Sequence, residues 1–437
     1  MPDWARSTIW WQVYPLGFTG AEKTALPTGS PPQHRLGRLE AWLDYLVELG
    51  CNGLALGPVF ASETHGYDTV DYEQVDARLG DRADLESLIA ACHARGVRVL
   101  LDGVFNHVGR GFAPFQDVLA NGLDSAYASW FRVGTDADGE LTYADFEGHR
   151  HLVALNHDEP AVIDHVATVM TRWLDAGADG WRLDAAYAVP PAFWAAVSAR
   201  VRERHPDVWL VGEVLHAPYE PFVREGGLDS VTQYELWKAA WSALNDRNLF
   251  ELSWALQRHD EFTRSFRPMT FVGNHDVTRI ASRLDDPRHL GHALVVLFTV
   301  AGIPCIYAGD EQGFTGVKEE SERGDDAVRP PFPADPGGLA PYGRDVFALH
   351  QRLIGLRRRN DWLVDARTEV LTQTNTSIAY RSSAGDRSCT VLLNIGAEPH
   401  TFSKPVTVDD VVVPEHGWTI LVGQPGGPDQ AISSTSS

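Results

Sequence analysis

Apolar positions along the chain switch repeatedly between a strand pattern and a helical one. Ile9 to Tyr14 is an apolar run of strand length, and Leu39, Trp42, Leu43, Leu46 and Leu49 then recur at helical spacing. Gly53 to Leu56 is a short strand, and Leu85, Leu88, Ile89 and Cys92 form one face of a second helix. Val97 to Leu101 is the third strand and runs into Asp102. The alternation stops from His107 to Asn156, a stretch rich in glycine and aromatics that is too long for an ordinary loop. It resumes with Val162, Ile163, Val166, Val169, Met170, Trp173 and Leu174 on a helix. A fourth strand ends at Asp184, Pro190 opens a helix reaching His205, and Val208 to Gly212 is a fifth strand ending on Glu213. A weaker sixth strand lies near Leu228 to Thr232, the seventh is Met269 to Val272, and the eighth is Ile303 to Tyr307.

Eight strand-helix alternations predict an α/β fold, a (β/α)8 TIM barrel, with a small domain inserted after strand three. After a helix from Asp345 to Asn360 come short β runs, Ser377 to Tyr380 and Thr390 to Leu393, between glycine-rich turns. They predict a C-terminal antiparallel β-sandwich. The expected division is residues 1–106 and 157–360 for the barrel, 107–156 for the insertion and 361–437 for the β domain. The tail from Gly423 to Ser437, rich in Gly, Pro and Ser, is expected to fray.

Composition narrows the partners. A formal charge of −22 opposes nucleic-acid binding, which needs a basic surface, and favours a neutral small molecule. The four cysteines, Cys51, Cys92, Cys305 and Cys389, are too scattered for a zinc site or a disulfide framework and read as buried free thiols. Ala293 to Ala308 is too short to span a bilayer and is broken by Gly302 and Pro304. No basic region followed by a long apolar stretch opens the chain, so cytoplasmic residence is expected.

Parallel barrels carry their chemistry where the strands end. Those ends supply Asp102, Asn106 and His107, then Arg182 and Asp184, then Glu213, then Asn274, His275 and Asp276. Strand alternation puts Arg182 and Asp184 on one face, and a cation there is expected to keep Asp184 ionised. Glu213 has no basic neighbour in sequence; facing Asp184 and Asp276 it is expected to hold a proton. Asp102, buried by its own strand, orients its neighbours more than it reacts. Paired carboxylates among aromatic platforms are the equipment for splitting a glycosidic bond, with Asp276 stabilising positive charge and His107 and His275 donating to sugar hydroxyls. No H-E-x-x-H pattern supports zinc.

These motifs resemble the α-amylase family of glycoside hydrolases, family 13. Asp102-Gly-Val-Phe-Asn106-His107, Gly180-Trp-Arg182-Leu-Asp184, Gly212-Glu213-Val214 and Phe271-Val-Gly-Asn274-His275-Asp276 are similar to its four signatures. Gly66-Tyr67 with Asp71-Tyr72 and the segment Gly302 to Glu311 add two more. The resemblance implies a retaining mechanism with Asp184 as nucleophile, Glu213 as acid and base, and Asp276 as transition-state stabiliser. Arg182, His107 and His275 would line the cleavage subsite, Tyr67 would stack on the sugar, and Asp102, Tyr187, His216 and Asn274 complete the candidate substrate contacts. Retention requires catalytic carboxyls about 5–5.5 Å apart. The resemblance also allows a structural calcium that Asn106 would join; lacking a clear set of acidic partners it is not favoured, and no cofactor is required.

The inserted region looks most like the neopullulanase and cyclomaltodextrinase group, through Tyr127-Ala-Ser-Trp130-Phe131 and Leu152-Val-Ala-Leu155-Asn156. The β module that this group carries before the barrel is missing, so a monomer or weak homo-oligomer is expected. Ala185-Ala186-Tyr187-Ala188 replaces the Lys-His or Asn-Glu of relatives, and no Met-Pro-Lys precedes Leu155-Asn156. The expected function is hydrolysis of α-1,4, and in part α-1,6, bonds in short or cyclic maltooligosaccharides, cyclic maltosyl-maltose being a special case. The alternatives are a transglycosylase or sugar isomerase on the same constellation, and a non-catalytic carbohydrate-binding homologue.

Overall fold

The computed structural model describes residues 1–321, 324–423 and 430–434. Eight strands form one parallel sheet: β1 (Trp10–Val13), β2 (Gly53–Leu56), β3 (Arg98–Gly103), β4 (Gly180–Leu183), β5 (Trp209–Gly212), β6 (Ser230–Val231), β7 (Met269–Thr270) and β8 (Ile303–Tyr307). Each pairs with its sequence neighbour, and β8 pairs with β1. A bridge from Thr232 to Met269, with the Gln233 amide on the Met269 carbonyl at 2.9 Å, links β6 to β7 and closes the barrel.

Alternation sorts the strand residues. Trp181 and Leu183 face the surrounding helices, while Trp10, Leu100, Trp209, Val211, Met269, Ile303 and Cys305 fill the barrel interior. Trp10 and Trp209 stack there at 5.3 Å. Small residues make room for them: a Cβ on Gly53 would lie 2.4 Å from the Trp10 ring. Apolar packing thus fills the lower barrel and leaves Gln12, Asp102 and Arg182 toward the upper rim.

The helices obey the expected periodicities with small shifts. The one over Leu85 to Cys92 runs Arg82–His93 and opens with a reciprocal Asp81/Asp84 cap, and the one over Val162 to Leu174 runs Pro160–Asp175. Two features escape the sequence pattern. A hairpin, Phe60–Ser62 with Thr69–Val75, follows β2 and carries Tyr67 in its loop, and two helices, Tyr234–Asn245 and Leu249–Phe262, separate β6 from β7.

Between β3 and the Pro160 helix, His107–Gly109, His149–Ala154 and Asp145–Phe146 make a three-stranded antiparallel sheet. Phe115 packs at 5.0 Å against both Phe131 and Tyr143, a small aromatic core. Beyond the helix Arg344–Arg359 lies a five-stranded antiparallel sheet, opposed by the pair His400–Phe402 and Val411–Val413 across a core of Ala379, Leu392, Phe402, Val406 and Val413. Its last strand, Gln430–Ser433, pairs with Trp418–Gly423, so this part of the tail is not frayed; 424–429 and 435–437 lie outside the described residues. The four cysteines are buried free thiols. Among the described residues no helix is long and apolar enough to cross a membrane.

Candidate active site

Register builds the site. Arg182 on β4 is paired with Asp102 on β3, and parallel partners point to the same side. The Arg182 Nη1 therefore meets both Asp102 oxygens at 2.7 Å. Leu183 and Gly212 are also paired, so Asp184 and Glu213 follow side by side at the ends of β4 and β5. The next residue, Ala185, has φ of 44°, a left-handed conformation costing an alanine about 1–2 kcal/mol. That turn aims its amide at Glu213 Oε2, 3.1 Å away.

Arg182 is nearly fully buried and serves three carboxylates. Its Nη2 lies 2.6 Å from Glu213 Oε1, whereas Asp184 Oδ1 is a longer 3.4 Å from Nη1. Glu213 Oε1 also accepts from Tyr234 Oη at 3.1 Å. For Asp184 the surroundings differ from those expected. Burial and the negative Glu213 push the Asp184 carboxyl well up, against the opposing pull of Arg182, and the guanidinium's nearest acids are Asp102 and Glu213. Glu213 has a basic neighbour in space that its sequence neighbourhood did not reveal.

Asp276 has the opposite environment. Burial alone would raise its pKa, but His275, with Nε2 at 2.9 Å from Oδ2, and Arg329, with Nη2 at 2.5 Å from Oδ1, hold it well below the usual range. Arg329 also donates from Nε to the His275 carbonyl and lies over the Tyr14 ring. Asp276 therefore stays an anion through the working pH range.

The two histidines are engaged by the protein itself. His107 Nε2 bonds the Tyr67 carbonyl at 2.9 Å, and its Nδ1 meets the Asn106 amide at 3.0 Å. Burial lowers its pKa to about 4, so it is neutral. His275 meets Gln12 through Nδ1, and Asp276 and the Tyr67 hydroxyl through Nε2. Hydrogen-bond donors to sugar hydroxyls were expected here, but all four ring nitrogens already have protein partners. Asn274 is likewise a brace: Nδ2 donates to Tyr234 Oη at 2.9 Å and Oδ1 accepts the Asp276 amide at 2.9 Å. Asp102 accepts from Tyr67 Oη at 3.1 Å. Among the described residues, His, Cys, Asp and Glu ligand atoms converge only at Asp286, His289, His416 and at His34, Asp81, Asp84, groups that include none of these site residues.

Two cavities, of about 790 and 540 Å³, both reach Tyr67, Leu152 and Asp276. The larger continues past Tyr14, His65, Asp325 and Arg329. The smaller holds Asp184, Glu213, His107, Tyr187 and the exposed His216, and is walled by Phe146, Glu147, Trp237 and Lys318. Asp184, Glu213 and Asp276 thus share one cleft. Arg329, Tyr234 and Glu147 were missed by sequence reasoning. Arg329 lies in a long irregular stretch after β8, Tyr234 follows the weakest strand, and Glu147 sits in a turn, so no periodic signal marked them.

Three carboxylates in one cleft, one beside a backbone amide and an arginine and another held between a histidine and an arginine, define a (β/α)8 site equipped for acid-base and nucleophilic chemistry at a glycosidic bond. The family model for the alpha amylase catalytic domain matches residues 12–345, and the chain belongs to the alpha-amylase family of glycoside hydrolases. It is 32% identical over 432 residues to a cyclomaltodextrinase of Geobacillus thermopakistaniensis, covering 93% of this chain and 71% of that one. It is 31% identical over 335 residues to the intracellular maltogenic amylase of Bacillus subtilis, covering 72% and 57%. The solved cyclic α-maltosyl-(1→6)-maltose hydrolase of Arthrobacter globiformis, in complex with that sugar, superimposes with a TM-score of 0.84 at 28% identity over 97% of this chain and 99% of the other.

Proposed function

We propose that the chain is a retaining hydrolase of α-1,4, and in part α-1,6, glucosidic bonds in short or cyclic maltooligosaccharides, acting through a covalent glycosyl-enzyme. The observation that carries this reading is the convergence of Asp184, Glu213 and Asp276 on the smaller of two cavities that meet at Asp276 and Tyr67. Both carboxylates that act at the scissile bond face the smaller cavity, so that bond sits there with the leaving sugar on the Glu213 side, and the larger cavity extends the cleft past Tyr14 and Arg329.

In this mechanism Asp184 attacks the anomeric carbon while the bond to the leaving oxygen breaks and Glu213 gives that oxygen its proton. Burial raises Asp184 in the free chain. Arg182, 3.4 Å from Oδ1, opposes that push, and the step uses Asp184 as the carboxylate, its negative charge passing into the ester as the bond to the anomeric carbon forms. Asp276, kept ionised by His275 and Arg329, stabilises the positive charge growing at that carbon. Glu213 then takes a proton from water, water attacks the anomeric carbon, and the ester electrons return to Asp184. Arg182, Asp102 and Tyr67 hold these groups in place, Asn106 braces His107 through Nδ2, and the chain's own side chains carry each of these steps.

In this reading residues 107–156 roof a barrel of 1–106 and 157–360, and 361–437 form a β domain. The names of the relatives support the substrate class and a cytoplasmic place, and the protein would act as a monomer or weak homo-oligomer. The test is product analysis over time on maltotriose, pullulan, cyclodextrins, cyclic maltosyl-maltose and soluble starch. Fast cleavage of short and cyclic sugars with starch nearly untouched supports the proposal. Rapid thinning of starch, or mainly longer rearranged sugars, contradicts it.

A further inference from the structure

We propose that Glu147, at the tip of a hairpin in the inserted region, binds the leaving sugar and, together with Tyr187, sets which leaving sugars and acceptors the site takes. The inference rests on the hydrolase reading above and deepens it. Glu147 and Gly148 form the two-residue turn between Asp145–Phe146 and His149–Ala154. Both have positive φ, 52° and 84°, a combination that favours Asn, Asp or Gly at the first place. A glutamate there is not what the turn requires.

The turn is seated on the site. Phe146 lies nearly parallel to His107 at 4.7 Å, and the Tyr187 hydroxyl donates to Glu147 Oε1 at 2.9 Å. Tyr187 is itself tied to the acid's strand, its amide 3.2 Å from the Glu213 carbonyl. A carboxylate with two oxygens has about four acceptor positions, so the Tyr187 bond leaves capacity for ligand hydroxyls. The lysines of this cavity are paired elsewhere, Lys238 with Glu251 and Lys318 with Asp325, and do not neutralise Glu147. An anionic acceptor beside Phe146, Tyr187 and Trp237, in the cavity that Glu213 faces, suits a neutral, hydroxyl-rich ring.

The test compares maltotriose, whose leaving group is a sugar, with an aryl α-maltoside, whose leaving group carries no sugar hydroxyls. In Glu147→Gln and Glu147→Gly, the latter suited to the turn, the ratio of kcat/KM for maltotriose to that for the aryl maltoside is expected to fall about tenfold, the worth of one charge-assisted hydrogen bond. Transfer of maltosyl to added glucose falls with it. Tyr187→Phe shifts the ratio in the same direction by less. An unchanged ratio in both Glu147 variants, whether the two rates fall together or neither falls, overturns the assignment. A wild-type protein that cleaves the aryl maltoside but neither maltotriose nor cyclic sugars would instead overturn the hydrolase reading beneath it.

Discussion

Replacing Arg329 with methionine removes the cation 2.5 Å from Asp276 Oδ1 and the donor to the His275 carbonyl. Asp276 is then left with His275 as its nearest partner, and its pKa rises from its depressed position. A cation in contact lowers a carboxylate pKa by about 1–3 units; because Asp276 is 30% open to the cleft, solvent screening places the change near about 1–2 units. The ionised form is the working one, and a rise of that size from well below the usual range brings Asp276 back toward the ordinary carboxylate value, so a limb set by Asp276 should enter the acid end of the pH profile. At a pH on that limb, kcat/KM on maltotriose falls, with a smaller loss near pH 8. Arg329→Lys keeps a charge at the same place and should leave the limb near the wild-type position even if its geometry lowers the plateau. Profiles of kcat/KM from pH 4 to 9 for the three proteins decide it. A uniform loss in the methionine variant, with the limb unmoved, would refute the electrostatic argument and leave Arg329 a scaffold or a sugar ligand.

Glu213→Gln should lower turnover of maltotriose by about 10²–10⁴, the usual worth of a general acid, and much less for a glycosyl fluoride, which leaves without a proton; equal losses on both would contradict the acid role. His107, His259, His292 and His350 are all lowered to about 4 by burial. Their contribution to stability is full above about pH 6.5 and lost as pH falls toward 4, because the unfolded chain takes up the protons first. Histidine NMR should show four rings that do not titrate above pH 5, and inflections near 6.5 for all of them would contradict this. A Cβ on Gly180 would lie 2.3 Å from the Trp209 carbonyl, so Gly180→Ala must part β4 from β5. A loss of about 1–3 kcal/mol and a lower kcat are expected, and an unchanged Tm would refute the tight approach.

Much of this was legible before any coordinates. Apolar strands that end on Asp102, Asp184 and Glu213 mark both the barrel and its rim, because strand length and alternation are local properties. What alternation cannot supply is the neighbour across the sheet. It puts Arg182 on the face of Asp184 correctly, yet the pairings with Asp102 and toward Glu213 come from β3 and β5, and they outweigh the residue two places away. Electrostatics inferred along the chain therefore missed the upward push that burial and Glu213 give Asp184. The β-pairing of Gln430–Ser433 was hidden for another reason: Gly, Pro and Ser around it resemble an untied tail, and only a partner strand shows otherwise.

The central claim is a covalent glycosyl-enzyme on Asp184, and one experiment reaches it directly. Glu213→Gln mixed with α-maltosyl fluoride retains the nucleophile, needs no acid for departure of fluoride and lacks the base that releases the ester. Mass spectrometry of the quenched protein, followed by peptide mapping, should find one maltosyl group, carried by Asp184. An adduct on a different residue, or fluoride release giving the β-anomer with no adduct, would contradict the account.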